Sequence, residues 1–93
     1  MDLICMFDEV VYVRGSRIGD VDPTSGRTPR LVNVGDVVFY TSPTPDVGIG
    51  RVSRKENPRL CRNCWDFYIE GEGDKVFTRD DLWFANPLPE EAP

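Results

Sequence analysis

The stretch Trp65-Asp66-Phe67-Tyr68-Ile69-Glu70-Gly71 alternates between apolar and polar positions. Trp65, Phe67 and Ile69 fall on one face and Asp66, Tyr68 and Glu70 on the other, the period of two that marks a half-buried strand. It predicts the central strand of a small all-β protein.

Working outward, Gly71-Glu72-Gly73-Asp74 has the glycine content of a hairpin connection, leading to a strand over Lys75-Val76-Phe77-Thr78. Arg79-Asp80-Asp81 reads as one short helical turn before the strand Leu82-Trp83-Phe84. Asn86-Pro87 then ends the ordered structure, leaving 87–93 as a flexible tail. On the other side, Gly35-Asp36 bends the chain into a strand over Val37-Val38-Phe39-Tyr40. A proline-rich loop, Thr41 to Asp46, leads to a further strand beginning Gly48-Ile49-Gly50-Arg51-Val52.

Residues 1–30 stand apart. Leu3 to Phe7 and Val10 to Val13 are short apolar runs separated by Asp8-Glu9, and they predict one or two buried strands. Gly15 to Arg30 carries five glycines and prolines and predicts a long loop. With Arg14 it brings four arginines, Arg14, Arg17, Arg27 and Arg30, which suit a loop that grips carboxylates or phosphates. The expectation is nevertheless a solvated flexible loop, with the gripping loop as the alternative.

The order over 31–86 resembles the SH3-like small barrels, the group that includes Tudor, chromo-barrel, PWWP and KOW-type domains. The residues that carry it are Val34-Gly35-Asp36-Val37-Val38, Gly48-Ile49-Gly50-Arg51-Val52, Trp65-Asp66-Phe67-Tyr68-Ile69 and Phe77-Thr78-Arg79-Asp80-Asp81-Leu82. The resemblance implies a five-stranded barrel over 31–86, with residues 1–30 as an N-terminal β extension and long loop. It also implies a binding role, for peptides, methylated lysines or nucleic acid. A methyl-lysine cage in that pattern would draw on Tyr40, Tyr68 and Trp83.

Chemistry is sparse. The chain has no histidine, which removes the commonest general base and metal ligand. Cys61-Arg62-Asn63-Cys64 presents two thiols at metal-knuckle spacing, but a structural zinc takes four ligands and only Cys5 remains. Zinc would need a carboxylate or a second chain, so no metal or cofactor is expected. The knuckle runs into a strand rather than a helix, which argues against dithiol catalysis. The carboxylates at Glu70, Glu72, Asp74, Asp80 and Asp81 sit in turns, where acids are solvated or capping rather than paired for acid–base work. No enzyme activity is expected.

Charge is more informative. The net charge of −5 disfavours nonspecific attraction to nucleic acid or to anionic membranes. It is unevenly spread: Arg51, Arg54, Lys55, Arg59 and Arg62 stand against Glu56 alone, whereas residues 65–93 hold eight acids against Lys75 and Arg79. The expectation is a small acidic protein-binding module, similar in size and charge to the accessory inhibitors of phages and mobile elements. Glu70, Glu72, Asp74, Asp80, Asp81, Tyr68 and Trp83 would then meet a basic partner. The alternative is a nucleic-acid or chromatin reader using Arg51, Arg54 and Arg62. The odd cysteine count and the lack of a long apolar run lead to an expectation of a cytoplasmic monomer or homodimer.

Overall fold

The computed structural model describes residues 3–19, 32–41, 47–58, 60 and 64–88. Six strands form one antiparallel sheet: β1 (Ile4–Phe7), β2 (Val10–Arg17), β3 (Val37–Thr41), β4 (Val47–Glu56), β5 (Asp66–Ile69) and β6 (Leu82–Pro87). Their order across the sheet is β1-β2-β6-β3-β4-β5. A 3-10 turn, Arg79–Asp81, precedes β6 as the sequence predicts.

Alternation sets the faces. Val38, Leu82, Phe84, Val52, Phe67 and Ile69 share one face and pack with Ile18, Val32 and Phe77 into the main core. Trp65 and Tyr40 lean against it. The apolar side expected of the 65–70 stretch is therefore the core side, with Phe67 and Ile69 almost fully buried.

Phe39 lies on the opposite face, paired with Trp83 and Ile49, and is also fully buried. Its cover comes from the curl of the sheet. In a flat sheet β1 and β4 would lie about 19 Å apart, four steps of about 4.8 Å. Yet Arg51 on β4 reaches Asp8, beside the end of β1, at 3.3 Å, and its guanidinium lies 5.4 Å from the Phe7 ring. The β1–β2 hairpin folds back across β3, and Phe39 sits beneath it.

A two-residue turn joins that hairpin, with Phe7 paired to Val10. Asp8 and Glu9 both have positive φ, 53° and 67°, as a type I′ turn requires. Facing outward on β1, Ile4 and Met6 are exposed.

The structure departs from the sequence expectation in four places. The stretch at 65–70 supplies β5, which is not central but ends the six-strand order. Beyond it lies an isolated bridge, in which Phe67 and Phe77 exchange backbone hydrogen bonds of 2.8 and 2.9 Å. The strand expected at Lys75–Thr78 shrinks to that bridge, because only Phe77 of the four is buried. The long loop expected from Gly15 starts later, since β2 runs through Gly15 to Arg17. A Cβ at Gly15 would lie 2.6 Å from Asn86 Nδ2 and 3.2 Å from the Phe84 carbonyl oxygen, so the residue read as a turn signal is what lets β2 approach β6. Finally, β6 extends through Pro87, and the Leu88 N–H donates to the Val11 carbonyl at 2.9 Å. The remainder of the 15–30 loop, from residue 20 on, and the end of the tail, from residue 89 on, lie outside the described residues.

Candidate functional site

Two acidic turns meet at one end of β3. Tyr40 Oη donates to Glu72 Oε1 at 2.9 Å, and Thr41 Oγ1 donates to the Asp81 carbonyl at 3.2 Å. These neighbouring residues bind the turn after β5 and the 3-10 turn before β6. Glu72 and Asp81, from separate turns in the sequence, are thereby brought to adjacent residues of β3.

Their roles differ. Asp81 Oδ2 accepts from the Thr78 N–H at 3.0 Å and from the Thr78 hydroxyl at 3.2 Å, which holds the 3-10 turn. Glu72 is half-buried and takes the Tyr40 proton donor. Burial, followed by that carboxylate, pushes the Tyr40 hydroxyl pKa up. Glu70, Asp74 and Asp80 are exposed, with Asp80 4.0 Å from Arg79 Nε.

The aromatic residues do not converge. Tyr40 lies on the core face and meets Phe77 edge-on, with centroids 5.2 Å apart. Tyr68, between the buried Phe67 and Ile69, points to the opposite face, and so does Trp83, between the buried Leu82 and Phe84. Those two belong to β5 and β6, with β4 and β3 between them. The three rings expected for a cage are therefore split between faces.

Each of these two rings carries arginine. The Arg54 guanidinium lies 4.0 Å from the Tyr68 centroid, and the Tyr68 hydrogen bond raises the pKa of Arg54. Arg54 also pairs with Glu56 at 3.4 Å, as Arg51 does with Asp8. Lys55 reaches the Val32 carbonyl at 2.9 Å and Asn33 Oδ1 at 3.2 Å, tying the entry to β3 onto β4. The basic segment read from the sequence is thus engaged within the fold at these three positions. Arg59 and Arg62 lie outside the described residues.

At Trp83 the sequence reading missed the partners. Arg14 lies opposite Ala85 and Arg17 opposite Trp83, with a register shift between the two pairs. Three residues apart, they would face opposite sides of a regular strand; the shift puts both on the Trp83 side. Their guanidiniums lie 5.1 and 5.4 Å from its ring centroid. Gly15 inside the Arg14–Arg17 interval was the available signal, since a glycine within a strand marks a bulge or a close approach.

Cys64, weighed in the sequence as one thiol of a metal knuckle, is disulfide-bonded. Cys5 is free and half-buried. Cys61 lies outside the described residues, and among those described no three histidine, cysteine, aspartate or glutamate side chains group as metal ligands do. An open depression of about 350 Å³ is lined by Tyr12, Val32, Asp36, Val38 and Phe84 among others. Its one carboxylate, Asp36, accepts the Asn33 N–H at 2.8 Å. Among the described residues no helix is long and apolar enough to cross a membrane.

The chain is an all-β protein whose six antiparallel strands curl into a half-barrel. Comparison with protein-family models, curated proteins and solved structures finds no match to it.

Proposed function

We propose that this chain is a non-enzymatic protein-binding module that sets its acidic edge against a basic surface of a nucleic-acid-handling partner, in the manner of a small phage or mobile-element inhibitor. The observation that carries the reading is the joining of the two acidic turns by Tyr40 and Thr41. Carboxylates on two turns tied together steer toward, and compete for, an arginine-rich groove. Pre-organisation by internal hydrogen bonds lowers the ordering cost of docking.

A finer architectural reading accompanies it. Residues 31–86 form an SH3-like barrel in which β3, β4, β5, the Phe77 bridge and β6 are the five strands. Its support is the neighbour order β6-β3-β4-β5 with the Phe67–Phe77 bridge beyond, and a 3-10 turn leading into β6. The β1–β2 hairpin is then an addition to the β6 edge. The nucleic-acid reader is the weaker reading, because Arg51 and Arg54 already face Asp8 and Glu56.

The test is capture of partners from source-cell lysate, with and without nuclease, by the wild-type chain and by a Glu70→Lys, Asp74→Lys, Asp80→Lys variant. Glu72 and Asp81 are left intact because they hold Tyr40 and Thr78. One stoichiometric protein should survive nuclease with the wild type and be lost with the variant. Capture that survives charge reversal would overturn the acidic-edge reading. Loss of every partner on nuclease treatment would point to the nucleic-acid reader instead.

A further inference from the structure

We propose that Arg14, Arg17 and Trp83 form a binding site for a phosphate monoester dianion, separate from the acidic edge. The two guanidiniums come from one strand, on one face, and share one indole ring. Among the described residues neither has a carboxylate partner, although the chain carries sixteen acids and only eleven bases. Arg51, Arg54 and Arg79 each have a carboxylate within 4.0 Å. Asp80, whose Oδ1 would lie 2.8 Å from a Cβ at Gly19, two residues beyond Arg17, has Arg79 as its ion partner.

Two like charges held on one ring repel each other. An exposed cation–π contact returns only about 0.5–1 kcal/mol apiece. An anion between the guanidiniums would turn that repulsion into attraction.

The geometry also selects the anion. A carboxylate brings a single negative charge, which balances only one of the two guanidiniums. A phosphate monoester has three terminal oxygens and close to two negative charges at neutral pH, enough for two forks. Nucleobase stacking is disfavoured, because guanidiniums already lie against the Trp83 ring. A phosphodiester offers one charge and two free oxygens, and matches a single arginine.

The bulge supplies the positioning. Gly15 lets β2 press against Asn86 and Phe84 while the register slips, so backbone pairing sets both arginines on one side of β2. Half-buried, Arg14 and Trp83 are held on the sheet, and Arg17 is the exposed member that can close on a ligand.

Titration of the full chain with phenyl phosphate, inorganic phosphate and dimethyl phosphate, at constant ionic strength set with chloride, tests the site. The readout is the NMR signal of the Trp83 indole N–H and of the Arg14 and Arg17 side-chain N–H groups. Saturable shifts are expected with phenyl phosphate, weakened about tenfold by Arg14→Gln or Arg17→Gln alone, the loss of one charge-assisted hydrogen-bonding partner. They should disappear in the double variant, whose backbone spectrum reports an intact fold. Affinity should fall at pH 5, below the second phosphate pKa of about 6. Inorganic phosphate binding as tightly as phenyl phosphate would identify the free ion as the ligand, and tighter phenyl phosphate an esterified one. Non-saturating shifts, saturation that persists in the double variant, or equal binding of dimethyl phosphate would each overturn the proposal.

Discussion

Tyr40 Oη donates to Glu72 Oε1 at 2.9 Å across 32 positions of sequence, and this bond fixes the turn after β5 to the end of β3. A net contribution of about 0.5–1.5 kcal/mol is usual for such a bond. Tyr40→Phe keeps the ring against Phe77 and removes only the hydroxyl. Urea denaturation should show a loss of about 1 kcal/mol, with weaker partner capture as the acidic turn loosens. A variant as stable as wild type would mean that Glu72 is held by water equally well.

The same pair sets an alkaline limit. Tyr40 holds its proton more tightly in the folded chain than in the unfolded one, through burial and then Glu72. Its contribution is intact below about pH 10, the ordinary tyrosine value, and is lost as pH rises through the raised folded value. Stability measured from pH 8 to 11 should fall more steeply for wild type than for Tyr40→Phe. Parallel curves would remove Tyr40 as the cause.

Tyr40 also rests on a missing side chain. Gly48 is its partner across β3 and β4, and a Cβ there would lie 2.6 Å from Tyr40 Cζ. Gly48→Ala should cost about 1–3 kcal/mol in the wild type, as overpacking does. In a Tyr40→Ala background it should cost far less, because the atom it strikes is gone. A double-mutant cycle with no coupling would show that the ring moves aside freely.

The hairpin turn can be improved. Glu9 sits at φ 67°, where a side chain other than glycine is strained and where type I′ turns favour glycine at the second position. Glu9→Gly should raise stability by up to about 1 kcal/mol, seen as a higher thermal midpoint. A drop would mean that the flexibility added to the unfolded chain outweighs the relief.

Magnitudes decide what holds the hairpin down. The Arg51–Asp8 pair is surface-exposed, and such pairs contribute about 0–1 kcal/mol. Phe39 beneath it is fully buried, and removing a buried phenylalanine side chain costs about 3–5 kcal/mol. Asp8→Asn should therefore leave stability almost unchanged, whereas Phe39→Ala should come close to unfolding a domain of this size. A larger effect from Asp8→Asn than from Phe39→Ala would reverse the assignment.

Sequence by itself determined the all-β class, the buried face of the 65–70 stretch, the 3-10 turn at Arg79–Asp81 and the separation of Phe7 from Val10 by a two-residue break. These are local properties: a period of two and turn chemistry act over a few residues, so they are written in neighbouring letters. Only the tertiary structure decided that β5 ends the strand order, that β2 continues through Gly15, and that Phe39 needs a second covered face. Strand neighbours are set by pairings between distant segments, and alternation carries no information on which strand lies beside which. The candidate sites divide in the same way. The acids were legible as charges, but Tyr40 and Thr41 tie the turns of Glu72 and Asp81 together only once β3 lies between them. The Arg14–Trp83–Arg17 cluster was hidden, because an odd spacing puts two arginines on opposite faces until a slip in the β2–β6 register turns both toward the same ring.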